Sequence, residues 1–488
     1  MDLLIKAENI YVEYLDREIL NIPDLEVYTY DRIGIVGNIG AGKTTLLKIL
    51  SGVLTIPNCR VQMFGEIAYF EQIKDVDIET NADKKLLGKL GIHNVLNDNM
   101  SGGEQIKYRA AHLLSKKSHG ILADEPTCNM DKEGIDYLIH KLYTYQGALI
   151  LVSHDRYFLD SMVNKIWEIE EGQLTEYYGN YTDYRNQLEE KKQAQETKHQ
   201  LYVKELNRLN NVYDKKVKKA EKVSKKPGSM SGKRNIPNIN DMTKAYGSRE
   251  KTLYKSARNV QSRIENMDKV EKPKKEMQIK FAANPELELH NKFPIEGKEI
   301  KKVFGTRVIF DEMSFNIPLG AKVAITGSNG SGKTTLLNMI LNREPGITVS
   351  LKAVIGHFEQ NGYYHISDCS VMEYAAKDCA YKISVLRAML TSLGFTGNDL
   401  KKNTHDLSGG ERVKCMLCKL LTGRYNILLL DEPSNYLDIK SVLALEQLMK
   451  DYKGTIIFVS HDDRLVDEVA DVIYKIENGK MWGISRRK

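Results

Sequence analysis

Short apolar runs alternate with amphipathic stretches toward both ends of the chain. An apolar run at 32–36 precedes a helical stretch at 44–50, and another at 148–153 precedes one at 157–164. Apolar runs of this length are typical of buried strands, and strands that alternate with helices favour a parallel sheet covered by helices. The pattern therefore predicts α/β domains in the two end regions.

The middle of the chain has a different pattern. Residues 183–225 contain no proline or glycine and carry apolar residues at roughly helical spacing, namely Leu188, Leu201, Leu206, Leu209 and Val212. A helix of that length would extend about 60 Å at the usual rise per residue. Prolines and glycines interrupt 227–240, and a second helical run follows at about 242–270. We therefore predict an antiparallel helical hairpin with a compact tip.

The two end regions repeat each other. GNIGAGKTT at 37–45 returns as GSNGSGKTT at 327–335. Three later motifs recur with a common offset of 307 residues, namely SGGE at 101–104 and 408–411, DEP at 124–126 and 431–433, and VSHD at 152–155 and 459–462. Two copies of one domain explain this pattern. We predict a first domain at 1–181, a linker at 182–294 and a second domain at 295–488.

Composition is that of a folded, soluble, cytosolic protein. Hydrophobic residues make up 42% of the chain and charged residues 28%, which excludes a disordered chain. No stretch reaches the roughly 18 to 20 apolar residues of a membrane-spanning helix, and the start of the chain lacks the pattern of a secretory signal. The six cysteines are scattered, as in proteins of a reducing compartment. Cys415 and Cys418 form a lone CxxC, which we expect to be packed core thiols and not half of a zinc site.

Positive charge is concentrated in the predicted linker. Residues 185–280 hold 26 Lys/Arg and 12 Asp/Glu, a balance of +14 in a chain whose net charge is +6, so the remainder carries −8. A solvated coiled-coil spacer could carry such a run, but an excess of this size favours a polyanion such as RNA. The residues expected to face it are Lys215, Lys216, Lys218 and Lys219, with Met230, Lys233, Arg234 and Ile236 at the tip.

The repeated glycine-rich motifs have the composition of a phosphate-binding loop. Each follows an apolar strand and ends in Gly-Lys-Thr, so backbone N–H groups and a lysine can face phosphates while a hydroxyl faces Mg²⁺. Each DEP motif ends another apolar run, which would deliver one acid to Mg²⁺ and a second acid to an attacking water. The expected acids for Mg²⁺ are Asp124 and Asp431, and the expected catalytic residues are Glu125, Glu432, His154 and His461.

SGGE between the phosphate loop and the DE pair resembles the signature of ABC-type ATPases, and FEQ at 70–72 and 358–360 resembles their glutamine loop. The resemblance implies ATP and Mg²⁺ as cofactors and two P-loop ATPase domains in tandem that dock head to tail. Lys43 would then share one ATP with Ser408, and Lys333 the other with Ser101. Tyr14 and Phe304 stand where the family stacks adenine, although either could be an ordinary core aromatic.

The same resemblance implies the remaining site residues. Those implied at the nucleotide are Tyr14, Gly37, Asn38, Gly40, Gly42, Lys43, Thr44, Thr45, Gln72, Ser101, Gly102 and Gly103 in the first copy, and Phe304, Gly327, Asn329, Gly330, Gly332, Lys333, Thr334, Thr335, Gln360, Ser408, Gly409 and Gly410 in the second. Those implied at Mg²⁺ are Thr44, Gln72, Asp124, Thr334, Gln360 and Asp431.

Two segments are similar to elements of the ABC-F subfamily, namely EYYGNYTDYRNQ at 176–187 and HDRYFLD at 154–160. Within that subfamily, the short form of the chain is most similar to the Msr-type antibiotic-resistance group. That resemblance covers almost the whole chain. It implies a monomer whose two cassettes pair with each other and whose linker enters the ribosomal tRNA exit site, against 23S rRNA and the peptidyl-site tRNA. It further implies protection against macrolide, lincosamide, streptogramin or pleuromutilin drugs.

Two alternatives stay open at this point. A housekeeping ABC-F translation factor that acts on stalled ribosomes would share these motifs. The ATPase component of a transporter with separate membrane subunits would share the cassettes, but it has no use for a long basic hairpin between them. Three places depart from the family pattern, namely PTCNMD at 126–131, PSNYLD at 433–438 and Asp463. These departures leave open whether the two ATP sites are equivalent.

Overall fold

The computed structural model describes residues 2–14, 17–71, 118–127, 130, 132–224, 239–270, 272, 288–359 and 367–485. The chain forms two compact units. The main unit comprises 1–184 and 277–488 and holds both repeated copies, and the hairpin unit comprises 185–276. The domain boundaries inferred from the repeats stay a prediction.

The first copy is an α/β domain with two sheets. Its elements are β1 (Leu3–Tyr14), β2 (Arg17–Tyr28), β3 (Arg32–Gly37), α1 (Lys43–Leu50), β4 (Arg60–Met63), β5 (Ile67–Phe70), β6 (Gly120–Asp124), α2 (Lys132–Tyr143), β7 (Ala148–Val152), α3 (Arg156–Met162), β8 (Lys165–Glu170) and β9 (Gln173–Tyr178). One sheet has the order β5-β6-β7-β3-β8-β9 and is parallel except for the β8–β9 pair. The other is antiparallel, in the order β2-β1-β4.

Two long helices follow the first copy. They are α4 (Tyr181–Ser224), which agrees with the predicted run at 183–225, and α5 (Ile239–Glu265), which begins and ends a few residues before the predicted 242–270. The amide of Asn266 still bonds the carbonyl of Ser262, whereas that of Met267 bonds Ile264 at the shorter spacing of a tightening last turn. The predicted tip at 227–240, including Met230, Lys233, Arg234 and Ile236, lies almost entirely outside the described residues.

Within the hairpin unit, α4 and α5 run antiparallel. His199 Nδ1 lies 2.9 Å from the carbonyl oxygen of Val270, and Lys216 Nζ donates to Ser256 Oγ at 2.6 Å, so residues farther along α4 meet residues earlier in α5. Leu209, Ala220 and Ala257 are buried in the unit. Lys216 is half-buried and holds the helices together, whereas the side chains of Lys215, Lys218 and Lys219 are exposed. Of the four lysines expected to face RNA, Lys216 thus serves the hairpin itself.

The second copy repeats the architecture of the first. Its elements are β10 (Ile295–Phe304), β11 (Arg307–Ile317), β12 (Lys322–Thr326), α6 (Lys333–Leu341), β13 (Ile347–Val349), β14 (Ile355–Phe358), α7 (Val371–Ala376), α8 (Ile383–Ser392), α9 (Gly409–Thr422), β15 (Ile427–Asp431), α10 (Ile439–Asp451), β16 (Thr455–Val459), α11 (Asp463–Val469), β17 (Val472–Glu477) and β18 (Lys480–Ser485). Its sheets have the orders β14-β15-β16-β12-β17-β18 and β11-β10-β13.

The central strands are buried on both faces, as parallel strands covered by helices must be. Every residue of β15 and β16 is buried, and so is every residue of β6 and β7. Cys415 and Cys418 of α9 lie in the same apolar cluster as Leu428 and Leu430 of β15, and burial raises the pKa of the Cys415 thiol to about 12. These cysteines are packed thiols. Within the described part of the chain, no helix is both long enough and apolar enough to cross a membrane.

Candidate active site

Both phosphate loops depend on a glycine with a left-handed backbone at the start of the next helix. Gly42 precedes α1 with φ 94°, and Gly332 precedes α6 with φ 102°. A Cβ at Gly42 would lie 2.8 Å from Ile19 Cγ2, and one at Gly332 would lie 2.5 Å from Ile309 Cγ2. No side chain fits at either position, so the loop can turn and open the helix N-terminus toward a ligand.

The lysines of the two loops are buried and held by the loops themselves. Lys43 Nζ donates to the carbonyls of Gly37 at 2.8 Å and Asn38 at 3.0 Å. Lys333 Nζ donates to Gly327 at 2.8 Å and to the carbonyl of the next residue at 3.1 Å. Each ammonium is therefore fixed at the mouth of its loop, where it can pair with phosphate oxygens.

Each loop threonine meets the aspartate at the end of another strand of the same sheet. Thr44 Oγ1 donates to Asp124 Oδ2 at 2.5 Å, and Thr334 Oγ1 donates to Asp431 Oδ2 at 2.7 Å. Asp431 Oδ1 is buried and has no hydrogen-bond partner among the described residues. A hydroxyl beside a carboxylate with a spare oxygen fits Mg²⁺, which prefers hard oxygen ligands.

The next residue in each copy is a glutamate whose backbone φ is positive. The angles are 49° at Glu125 and 51° at Glu432, a conformation that is costly for a residue with a side chain and is common at functional sites. Oε2 of Glu125 accepts from the amide of His154 at 3.3 Å, and Oε2 of Glu432 accepts from the amide of His461 at 3.3 Å. The other carboxylate oxygen lies 3.3 Å and 3.4 Å from Nε2 of the same histidines.

Burial raises the pKa of both glutamates, and it lowers the pKa of His154. A carboxylate with a raised pKa is a better proton acceptor near neutral pH. The neutral imidazole of His154 can hold the carboxylate of Glu125 without competing for the proton. The pair can therefore orient a water molecule and remove its proton.

A cavity of about 440 Å³ joins the second phosphate loop to the first copy. Phe304, Lys333, Thr334 and Thr335 line it from the second copy, and Thr127, Met130, Ile135 and Asp155 are among the residues that line it from the first. The side chains of Phe304 and Tyr14 are 56% and 55% exposed, so neither aromatic belongs to the core. The alternative of an ordinary core residue does not apply to them.

The first phosphate loop meets the second copy at the start of α9 and at Asp438. The amide of Ile39 donates to Asp438 Oδ2 at 3.3 Å, and a Cβ on Gly410 would lie 2.4 Å from Ile39 Cδ1. Ser408 caps α9, and its hydroxyl accepts from the amide of Glu411 at 3.4 Å. The SGGE segment of the second copy therefore lies against the loop that holds Lys43.

Asp438 was not among the residues expected from sequence. Its Oδ2 accepts from Lys414 Nζ of α9 at 2.6 Å, and its Oδ1 caps α10 at the amide of Ser441. Although burial opposes it, the adjacent ammonium lowers the pKa of Asp438 to about 2. One carboxylate thus connects α9, α10 and the opposite phosphate loop. The only available signal was its place at the end of PSNYLD.

Five expected nucleotide residues cannot be placed. Gln72, Ser101, Gly102, Gly103 and Gln360 lie outside the described residues, as do Cys128 and Asn129 of PTCNMD. The second phosphate loop therefore has a described partner surface, formed by Thr127, Met130 and Ile135, but no described signature segment opposite it.

Comparison with known proteins identifies the family to which the chain belongs. A family model described as ABC transporter matches residues 20–128 and 310–435. The erythromycin resistance ATP-binding protein MsrA of Staphylococcus epidermidis is 37% identical over 484 residues, which cover 99% of each protein. The chain belongs to the ABC-F subfamily. It is an ABC-type ATP hydrolase with two cassettes on one polypeptide, as the paired phosphate loops require.

Two further comparisons extend this result. The ribosome protection protein VmlR of Bacillus subtilis is 32% identical over 484 residues, which cover 97% of this ABC-F chain and 87% of that protein. A solved structure titled RNase-L Inhibitor superimposes with a TM-score of 0.63 over 96% of this chain and 89% of its own, at 19% identity. At that identity the structural match supports the tandem fold alone.

The two cassettes of this ABC-F protein also meet next to their histidines, through a buried ion pair. Arg156 Nη2 lies 2.6 Å from Glu446 Oε1 and 2.9 Å from Asp462 Oδ2, and the side chains of Arg156 and Glu446 are only 4% and 8% exposed. Shifted by the repeat offset of 307, Arg156 becomes Asp463, and Glu446 corresponds to Ile139. The equivalent contact on the other side of the interface, between Asp463 and Ile139, therefore cannot be an ion pair.

Other ion pairs, more exposed to solvent, surround the buried pair of Arg156 and Glu446. Arg464 bonds Asp160, Lys132 bonds Asp463, and Lys440 lies 3.3 Å and 2.7 Å from Glu168 and Glu170. Each of these pairs also joins one cassette to the other.

Proposed function

We propose that this protein is a ribosome-bound ATPase that protects ribosomes from antibiotics acting at the peptidyl-transferase centre or the exit tunnel. The observation that supports this most is the similarity to MsrA, whose name refers to erythromycin resistance, along 99% of both chains and thus through the basic hairpin as well as the cassettes. VmlR, named as a ribosome protection protein, is similar over nearly the same length.

In the proposed hydrolysis, the chain's own groups hold the phosphates and activate water. Lys43 and Lys333 pair with phosphate oxygens, and Glu125 and Glu432 orient a water and accept its proton while His154 and His461 fix their carboxylates. Thr44 with Asp124, and Thr334 with Asp431, would hold Mg²⁺, which would neutralise charge on the phosphates. The start of α9, opposite Lys43, adds backbone donors to the first site.

The hairpin is proposed to contact rRNA and the peptidyl-site tRNA at the ribosomal tRNA exit site. Lys215, Lys218 and Lys219 support this because their ammonium groups are exposed on α4 and can neutralise phosphates without reading bases. Lys216 is excluded from this set because Ser256 holds its ammonium.

Salt dependence of ribosome binding tests this contact. Each phosphate contact contributes about 0.7–0.9 to the slope of log K against log salt, so changing Lys215, Lys218 and Lys219 together to Gln should flatten the slope by about 2 to 3. Binding is measured by co-sedimentation with ribosomes across a potassium chloride series. The matched control changes the exposed Lys298, Lys453 and Lys480 to Gln, which alters net charge equally on the main unit. Equal flattening by both triple variants would contradict the hairpin contact.

The resistance phenotype tests the function as a whole. Minimum inhibitory concentrations for macrolides, lincosamides, streptogramins and pleuromutilins are compared in susceptible cells with and without the protein. We expect an increase for at least one class. No increase for any class, with ribosome binding intact, would favour the housekeeping translation factor. Co-purification with membranes and not with ribosomes would favour a transporter ATPase.

Replacing residues 229–237 with a Gly/Ser segment of equal length tests the tip. Both cassettes and the exposed lysines of α4 stay in place, so we expect ATP hydrolysis and most ribosome binding to persist while resistance is lost. The control is a shorter Gly/Ser replacement of two exposed residues on the main unit, Leu351 and Lys352. Full resistance with the Gly/Ser tip would rule out a role of the tip in drug release.

A further inference from the structure

An arginine follows the exposed aromatic of each cassette at the same spacing. The backbone of Tyr14 in β1 is paired with that of Arg17 in β2, and Phe304 and Arg307 pair across the turn between β10 and β11. Residues directly opposite each other on antiparallel strands project from the same face of the sheet. The second cassette thus presents an aromatic ring and a guanidinium from one edge of its antiparallel sheet.

In the second cassette this arginine reaches the phosphate loop. Arg307 Nη2 donates to the carbonyl of Gly330 at 2.9 Å, and Arg307 lines the same cavity as Phe304 and Lys333. Among the described residues, no carboxylate lies within ion-pair distance of Arg307. The guanidinium therefore carries an uncompensated positive charge between the aromatic platform and the loop.

The position of Arg307 matches one part of a bound nucleotide. A nucleotide with its purine on Phe304 and its terminal phosphates at Lys333 must run past Arg307 with its ribose and α-phosphate. Guanidinium is suited to phosphate oxygens because it presents several N–H donors in a fixed plane. One of these donors is used by Gly330, which orients the others.

We propose that Arg307 binds the ribose–α-phosphate part of the nucleotide in the second site. The competing explanation is that Arg307 only braces the phosphate loop through the Gly330 carbonyl. The two explanations differ in what they require: a brace needs one N–H donor, whereas a phosphate contact needs the positive charge.

Substitutions that separate donor from charge test the proposal. In a Lys43→Ala background, which leaves the second site for binding, ADP affinity is measured by calorimetry for Arg307→Ala, Arg307→Gln and Arg307→Lys. Loss of a charge-assisted hydrogen bond weakens binding by about ten-fold or more, so Ala and Gln should both lose about that much and Lys should lose less. The exposed Arg424, outside the cavity, provides the matched control as Arg424→Ala.

Each outcome decides between the explanations. Wild-type affinity in Arg307→Gln would show that a donor is enough and would overturn the proposal, as would wild-type affinity in Arg307→Ala. Melting temperatures of the variants without nucleotide exclude general unfolding.

Discussion

Changing Glu125 and Glu432 together to Gln is expected to lower ATP hydrolysis by about 10²–10⁴-fold while ATP still binds. Glutamine keeps the shape of the side chain and can still contact the histidine backbone, but it cannot accept a proton from water. Each carboxylate follows a strand end and accepts from the backbone amide of a histidine at 3.3 Å, which holds it in place. The measurement is phosphate release, with ATP affinity determined in parallel.

The single variants and a control complete the experiment. Glu477→Gln changes an exposed glutamate of the second copy and should leave hydrolysis unchanged. With nucleotide trapped in both sites, the double variant should also accumulate on ribosomes. Hydrolysis at the wild-type rate in the double variant would remove these glutamates from the catalytic role. Unequal loss in the two single variants would show that the sites turn over at different rates.

Changing Arg156 to Met is expected to cost about 3–5 kcal/mol of stability, because it leaves the buried carboxylate of Glu446 without its partner. The cost should appear in denaturant unfolding of the whole chain, and it should lower ATP hydrolysis if the cassettes no longer close. Changing Glu446 to Leu in the same chain removes the stranded charge, so the double variant should recover most of the loss.

Arg464→Met supplies the comparison. Arg464 also bonds across the cassettes, to Asp160, but its side chain is 37% exposed, so solvent screens the pair and its loss should cost at most about 1 kcal/mol. An Arg156→Met protein as stable as the wild type, or one that Glu446→Leu fails to rescue, would contradict the role of the buried pair.

Much of the fold could be predicted because it depends on local pattern. Two copies of a parallel sheet, two long helices and glycine-dependent phosphate loops follow from repeats, apolar runs and the spacing of Gly42 and Gly332. The side that each residue faces was harder to predict. Lys216 belongs to a run of four lysines, and only its neighbour Ser256, 40 residues away, distinguishes it from Lys215.

Contacts between distant segments were not predictable from local pattern at all. Asp438 ends PSNYLD, which departs from the family pattern, and its bond to the amide of Ile39 joins residues 399 positions apart. Burial also could not be inferred for single aromatics, because nothing in the sequence around Tyr14 or Phe304 distinguishes an exposed ring from one in the core. The head-to-tail partnership of Lys43 with Ser408 came from family resemblance and not from the residues themselves.

The buried pair of Arg156 and Glu446 makes the two halves of the chain non-equivalent where they meet. If two second cassettes met in the same way, Asp463 would face Glu446 and Asp462, which places three acids together. If two first cassettes met, Arg156 would keep Asp155 but would face Ile139 in place of Glu446. At this contact each half therefore favours the other over a copy of itself, so the two cassettes pair as a heterodimer within one chain and not as two equivalent halves.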